Sequence, residues 1–213
     1  MKRHIFKVVI LLACCVIPAV AQQNPNSLGA ILNHYATAQG NFIAGAIPKA
    51  DLDIIIQAGV RAPSARNLQP WHFTVVQKKS LLDRINVKAR EVIKKVFPVQ
   101  SETMPWIVAP NYNYFYDAPT VIFISGQMDN EDVLGDCAIA LMNMVYAAES
   151  LELQTCVVTT GLAAFTTEAG AGFMEDLEIP EGFKPIYALV LGYTSKPLPM
   201  AAPRKENFVN FIR

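Results

Sequence analysis

Apolar residues recur along this chain first as one unbroken run, then at helical spacing, then in alternation, and the order of those patterns predicts its elements. Val8 to Ile17 is a continuous apolar run, about ten residues where a membrane-spanning helix needs roughly twenty. A helix is expected near Leu28 to Gln39. Pro48 precedes a second over Lys49 to Ala58, where Leu52, Ile55 and Ile56 form the buried stripe and Gly59 ends it. Trp71 to Gln77 alternates and is rich in β-formers, which predicts a strand. Leu81, Ile85, Ala89, Val92 and Val96 then return to helical spacing, with Lys88, Arg90, Lys94 and Lys95 mostly on the wet face. Those cations make a poor nucleic-acid patch, because no aromatic residues alternate with them as stacking platforms.

Residues 98 to 118 interrupt the pattern with Pro98, Pro105 and Pro110 among Trp106, Tyr112, Tyr114, Phe115 and Tyr116. A segment of this length reads either as a functional loop or lid or as a packed surface excursion. Thr120 to Ser125 is an apolar strand, and Thr155 to Thr160 and Ile186 to Leu191 complete the set. Between them, Val133 to Leu153 is a helix apolar almost all round, through Cys137, Leu141, Met144, Val145, Ala148 and Leu151. A helix with so little polar face must be covered on more than one side, by its sheet or by a partner chain. The elements together predict an α+β domain, a mixed β-sheet flanked by helices, running as one unit over residues 22 to 213.

Composition narrows the class. The chain has 213 residues, 52% of them hydrophobic and 17% charged, which excludes a disordered or collagen-like protein. Its 18 basic and 18 acidic residues cancel, leaving no overall field to hold nucleic acid or an anionic membrane. The apolar content is concentrated at the start. Lys2, Arg3 and Lys7 form a basic head, the apolar run follows, and Ala19-Val20-Ala21 offers a small-residue cleavage site, so residues 1 to 21 read as a secretory signal peptide. The mature protein is therefore expected outside the cytoplasm, in the periplasm or beyond, with no stable membrane insertion. A lipoprotein signal, with Leu11-Leu12-Ala13 before a lipidated Cys14, is the less favoured alternative, since it leaves a shorter apolar run. Cleavage leaves 15 basic and 18 acidic residues, a net charge of −3. Cys137 and Cys156 remain; they could pair in an oxidising compartment, but their apolar helix and strand settings favour two free core thiols.

Side-chain chemistry is sparse. Only His34 and His72 survive cleavage, too few for a histidine-rich metal site, and no metal is expected. There is no nucleophile elbow, Walker loop or dinucleotide fingerprint, and Gly170-Ala171-Gly172 is too short for the last. An enzyme built on this chain would borrow its reactive group from a cofactor. The densest polar stretch is Ala62-Pro63-Ser64-Ala65-Arg66-Asn67-Leu68-Gln69-Pro70-Trp71-His72-Phe73. Its amides both donate and accept, which suits the edge of a planar heterocycle, while a capped turn leading into a strand explains the same composition.

That stretch resembles the APS-x-x-N-x-QPW-x-F element of the FMN-dependent nitroreductases, and three further segments are similar to the family in order. These are Asp117-Ala118-Pro119 before a strand, the helix from Asp136 to Leu153, and Ile179-Pro180-Glu181-Gly182-Phe183-Lys184-Pro185 before Ile186 to Tyr193. The likeness spans roughly residues 30 to 205. It implies an α+β intertwined homodimer with FMN at each of two subunit interfaces. By position, Pro63, Ser64, Ala65 and Asn67 would line the flavin, Gln69 would support the loop or ribityl chain, and backbone at Thr160 and Gly161 would meet the ring. Arg204 and Lys205 would hold the phosphate, although the same pair also reads as a solvated tail. Trp106, Tyr112 and Tyr114 would stack on an aromatic acceptor.

The implied reaction is ping-pong hydride or electron transfer to a small aromatic, nitro or quinone-like acceptor, from NAD(P)H or another donor. One departure counts against it. The family's opening Arg-x-Ser-x-Arg element falls on Thr37-Ala38-Gln39-Gly40, and residues 22 to 48 contain no Lys or Arg. Each lost charged hydrogen bond is worth about 1.5 to 3 kcal/mol, so FMN affinity is expected to fall by about one to four decades unless Arg61 or Arg66 substitutes. The alternative is a catalytically inactive ligand-binding dimer with a degenerate phosphate site. A third reading is a flavin-fragmenting or reductively dehalogenating enzyme.

Overall fold

A computed structural model of the chain describes residues 37–198, 203–206 and 208–213. The signal segment, Cys14, His34 and most of the helix expected near Leu28 to Gln39 lie outside the described residues, and the three described residues of that stretch are not helical. The elements are α1 (Lys49–Val60), β1 (Trp71–Val76), α2 (Lys79–Val96), α3 (Pro98–Thr103), β2 (Thr120–Gln127), α4 (Val133–Ser150), β3 (Gln154–Val158), α5 (Ala171–Asp176) and β4 (Phe183–Gly192). The α+β architecture is the one expected.

The four strands form one sheet in the order β1-β2-β4-β3, and every pair is antiparallel. Trp71 stands opposite Gly126, Gln127 opposite Phe183, and Val158 opposite Ala188. This register brings the start of β1, the end of β2 and the start of β4 to one end of the sheet, and β3 runs toward that end but stops midway along β4. Side chains alternate across a strand, so the central strands feed two cores. One contains Val121, Phe123, Ala188 and Val190 under α2; the other contains Ile122, Ile124, Leu189 and Leu191 under α1 and α4.

Cys156 belongs to the first core and Cys137 to the second, so the sheet separates the two free, buried thiols. Burial pushes both up from the usual thiol range, Cys137 to about 12 with a further push from the Asp136 carboxylate.

The region 98–118 is a packed excursion rather than an open loop. It holds α3, a short 3-10 turn over Pro105–Val108, and two fully buried aromatics, Tyr114 and Phe115, each 1% exposed. α2 fastens it. Asn86 Oδ1 accepts from the Tyr114 N–H at 2.8 Å, and Arg90 Nη2 donates to the Tyr112 carbonyl at 2.6 Å. Arg90 is thus a half-buried strut, not one of the wet-face charges its spacing implied. Helix α4 buries one face completely, yet leaves Leu134 55% and Ile139 44% exposed on the other.

Candidate functional site

The segment 62–70 makes a turn of unusual backbone. Arg66, Asn67 and Gln69 have φ of +54°, +55° and +50°, a left-handed conformation that costs a non-glycine residue about 1–2 kcal/mol. Local hydrogen bonds hold it. Ser64 Oγ accepts from the Gln69 N–H at 2.9 Å, the Asn67 N–H donates to the Ser64 carbonyl at 3.0 Å, and Gln69 Nε2 donates to Asn67 Oδ1 at 3.1 Å. The first turn of α4 supplies an outer brace, where Asp136 Oδ1 accepts from the Ala65 N–H at 3.0 Å. Asp136 is 5% exposed, and its second carboxylate oxygen is buried without a hydrogen bond. Arg66 reaches Asp132 at 3.2 Å and Glu131 at 3.4 Å. Once these bonds are made, the Asn67 amide donors and the Gln69 amide oxygen remain on exposed side chains, a donor and an acceptor facing solvent.

The turn leaving β3 is built differently. Thr160–Phe165 is a 3-10 segment in which Thr160 is exposed and Gly161 is buried against aromatic rings. A Cβ at Gly161 would lie 2.9 Å from the Phe115 ring, so only glycine lets the backbone pass there. Beside this turn a cavity of about 620 Å³ opens, floored by Ile93, Phe97, Ile107, Leu162 and Phe165, with Thr160 and Lys184 also lining it.

The predicted residues therefore fall into two groups. Pro63 to Gln69 enter β1, Thr160 and Gly161 leave β3, and the two outer strands are separated by β2 and β4. They are three strand spacings apart across the sheet, and offset along it, because β3 ends level with Ala188 and β1 begins level with Lys184. Trp106 is 52% exposed with its ring edge-on to Tyr112 at 5.1 Å, and its neighbour Ile107 is the residue lining the cavity. Tyr114 must be corrected: it is a core residue whose hydroxyl donates to the Ile107 carbonyl at 2.6 Å, so its face is not available for stacking. Burial pushes its phenol up from the ordinary range. Arg66, one of the phosphate candidates, has its guanidinium turned onto Glu131 and Asp132. Arg204 and Lys205 lie in an exposed segment without helix or strand.

For a flavin, the residues at the ring end fit, while at the phosphate end the stretch 37–48 offers no cation and leaves the charge to Arg204 and Lys205. Exposed amides and the close-packed Gly161 backbone suit a flat heterocycle. Ala38, in the aligned phosphate stretch, is instead a buried alanine whose N–H is spent on the Thr155 carbonyl at 2.9 Å, and residues 37–48 carry no cation. The residues that sequence reasoning missed are Asp136 as a brace and Ile93, Phe97, Phe165 and Lys184 as cavity wall. A buried acid in the first turn of an apolar helix was the one available signal.

The chain matches the nitroreductase family over residues 41–193. A protein of Methanothermobacter thermautotrophicus, provisionally named NADH dehydrogenase/NAD(P)H nitroreductase, is 29% identical over 154 residues, 70% of this chain and 69% of that protein. Two solved structures share the fold. The nitroreductase with bound FMN from Bacteroides fragilis superposes with a TM-score of 0.80 at 24% identity, over 88% of this chain and 99% of its own. The FMN-dependent nitroreductase from Clostridium difficile gives 0.72 at 23% identity, over 89% and 100%.

Proposed function

Because the chain belongs to the nitroreductase family, we propose that it is an exported FMN-dependent oxidoreductase that acts as a homodimer on a small aromatic, nitro or quinone-like acceptor. The observation that carries this reading is the turn at 62–70, hydrogen-bonded into a left-handed conformation that leaves the Asn67 and Gln69 amides exposed beside the sheet end. When bound, the flavin supplies hydride exchange between a donor such as NAD(P)H and the acceptor in alternating half-reactions. The protein's part is placement. Pro63, Ser64, Ala65 and Asn67 would line the ring, Gln69 would support the loop or ribityl chain, backbone at Thr160 and Gly161 would meet the ring, and Arg204 and Lys205 would supply positive charge for a phosphate. The apolar cavity beside Thr160 would receive the acceptor.

A dimer accounts for two observations together. The two halves of the site stand at opposite edges of one sheet, so a second copy can bring one half to the other, and the exposed Leu134 and Ile139 of α4 are the kind of surface a second copy covers. Export of the mature chain agrees with the basic head, short apolar run and Ala19-Val20-Ala21 site.

Purified protein incubated with FMN or riboflavin tests the reading through the flavin's visible absorption. Binding of both is expected, with FMN favoured by less than about tenfold, or 1.4 kcal/mol, and that preference lost in Arg204→Ala. Protein that stays colourless with both flavins rejects the proposal. If Arg204→Ala leaves the preference intact, the phosphate assignment to the C-terminal pair is wrong. The cation-free stretch 37–48 favours one second reading, a ligand-binding dimer without turnover. A flavin-loaded protein that NAD(P)H and dithionite both reduce, but that passes no electrons to nitroaromatics or quinones, would establish it instead.

A further inference from the structure

Among the residues lining the cavity beside Thr160, Lys184 is the only one with a charge. The remaining wall is apolar or hydroxyl-bearing: Ile93, Phe97, Ile107, Leu162 and Phe165 on one side, Thr159, Thr160 and Thr166 at the β3 turn, and Pro185 and Ile186 beside the lysine. Lys184 is exposed at the rim and forms no ion pair among the described residues. An ammonium at the rim of an apolar pocket lays its methylene stem along the wall and keeps its head where a ligand's anionic group would stand. The volume, about 620 Å³, is in the usual range for a small organic ligand.

We propose that the acceptor taken by this cavity is an aromatic compound bearing a carboxylate, with Lys184 as the residue that selects for the charge. The inference rests on the flavoenzyme reading for turnover, but not for binding. A flat ring removes apolar surface from water against Phe97, Leu162 and Phe165. The carboxylate at its far edge gains a charge-assisted hydrogen bond from the exposed Lys184 at the rim. A neutral isostere of the same shape gains the first contribution only.

The test is calorimetric titration of para-nitrobenzoate and para-nitrobenzamide into the flavin-loaded protein, repeated on Lys184→Gln, Lys184→Arg and Phe97→Ala. The carboxylate is expected to bind at least about tenfold tighter than the amide. Lys184→Gln should erase that difference by weakening the carboxylate alone, Lys184→Arg should retain it, and Phe97→Ala should weaken both ligands. Equal affinity of the two ligands for the unsubstituted protein overturns the proposal. So does a Lys184→Gln effect shared by both, or binding indifferent to Phe97→Ala. Should the protein take up no flavin, the function proposed above fails, and the same titrations on the flavin-free protein still decide the role of Lys184.

Discussion

The turn entering β1 and the turn leaving β3 belong to opposite edge strands of the sheet and are held by opposite means. The first is exposed, has three non-glycine residues at positive φ, and is kept in shape by hydrogen bonds that Ser64 and Asp136 accept and Gln69 donates. The second makes room for itself by having no side chain at Gly161, and its neighbours Leu162 and Ala164 are buried. A conformation that costs about 1–2 kcal/mol per residue persists only while several contacts over-determine it. The polar turn should therefore fail by loss of a hydrogen bond, and the apolar turn by a change of volume.

The largest effect is expected from Gly161→Val. Its branched side chain would enter the space of the Phe115 ring, which is 1% exposed and packed edge-on against Phe123 at 5.8 Å. Overpacking of this kind costs about 3 kcal/mol, seen as a fall in the urea midpoint at constant slope. An unchanged midpoint would mean that the turn after β3 can shift away from its core, and the contrast between the two turns would be lost.

Asp136→Ala comes next. It removes the acceptor from the Ala65 N–H, an effect of about 1–3 kcal/mol, and the relief of burying an unpaired carboxylate oxygen places the net loss toward the low end. Flavin affinity should fall by more than stability does, because the brace holds a turn that the rest of the fold does not need. Asp136→Asn, which keeps an acceptor oxygen, should recover most of the affinity. If Asp136→Ala lowers the urea midpoint yet leaves flavin binding intact, the turn is set by its own bonds alone.

The same contrast explains what could be read from the chain beforehand. The turn at 62–70 was legible because most of its chemistry is local: Ser64, Asn67 and Gln69 bond to one another over a few positions, while the Asp136 brace, 71 residues from Ala65, was not legible. Strand β1 and helices α1 and α2 were legible from period, although α1 runs through Gly59, buried within it, to Val60. The end of α4 was overrun. Leu151 and Leu153 continue an apolar period, but the helix stops at Ser150, Glu152 takes φ of +62°, and Leu153 is fully buried on the way into β3. Tyr114 misled for the converse reason. In a proline-rich stretch an aromatic residue suggests a surface, and only Asn86 and Ile107, distant or unremarkable in sequence, draw it into the core. The cavity wall was illegible because α2, the 105–108 turn, the turn after β3 and the start of β4 each contribute one or a few apolar residues to it. No periodicity marks a surface assembled from four separate segments.

The smallest effect sharpens the comparison from the polar side. Arg66 pairs with Asp132 and Glu131, but the three side chains are 63%, 43% and 81% exposed. Pairs this open contribute about 0–1 kcal/mol and are screened by salt. Arg66→Ala should therefore lower stability by less than about 1 kcal/mol in dilute buffer, with the difference disappearing at high salt. Flavin affinity should be unchanged, because Ser64 and Asp136 still hold the backbone. The substituted residue retains the left-handed φ, so the experiment isolates the ion pair from the backbone cost. A loss equal to that of Asp136→Ala, or one that survives high salt, would show that charge rather than hydrogen bonding keeps this turn in its strained shape.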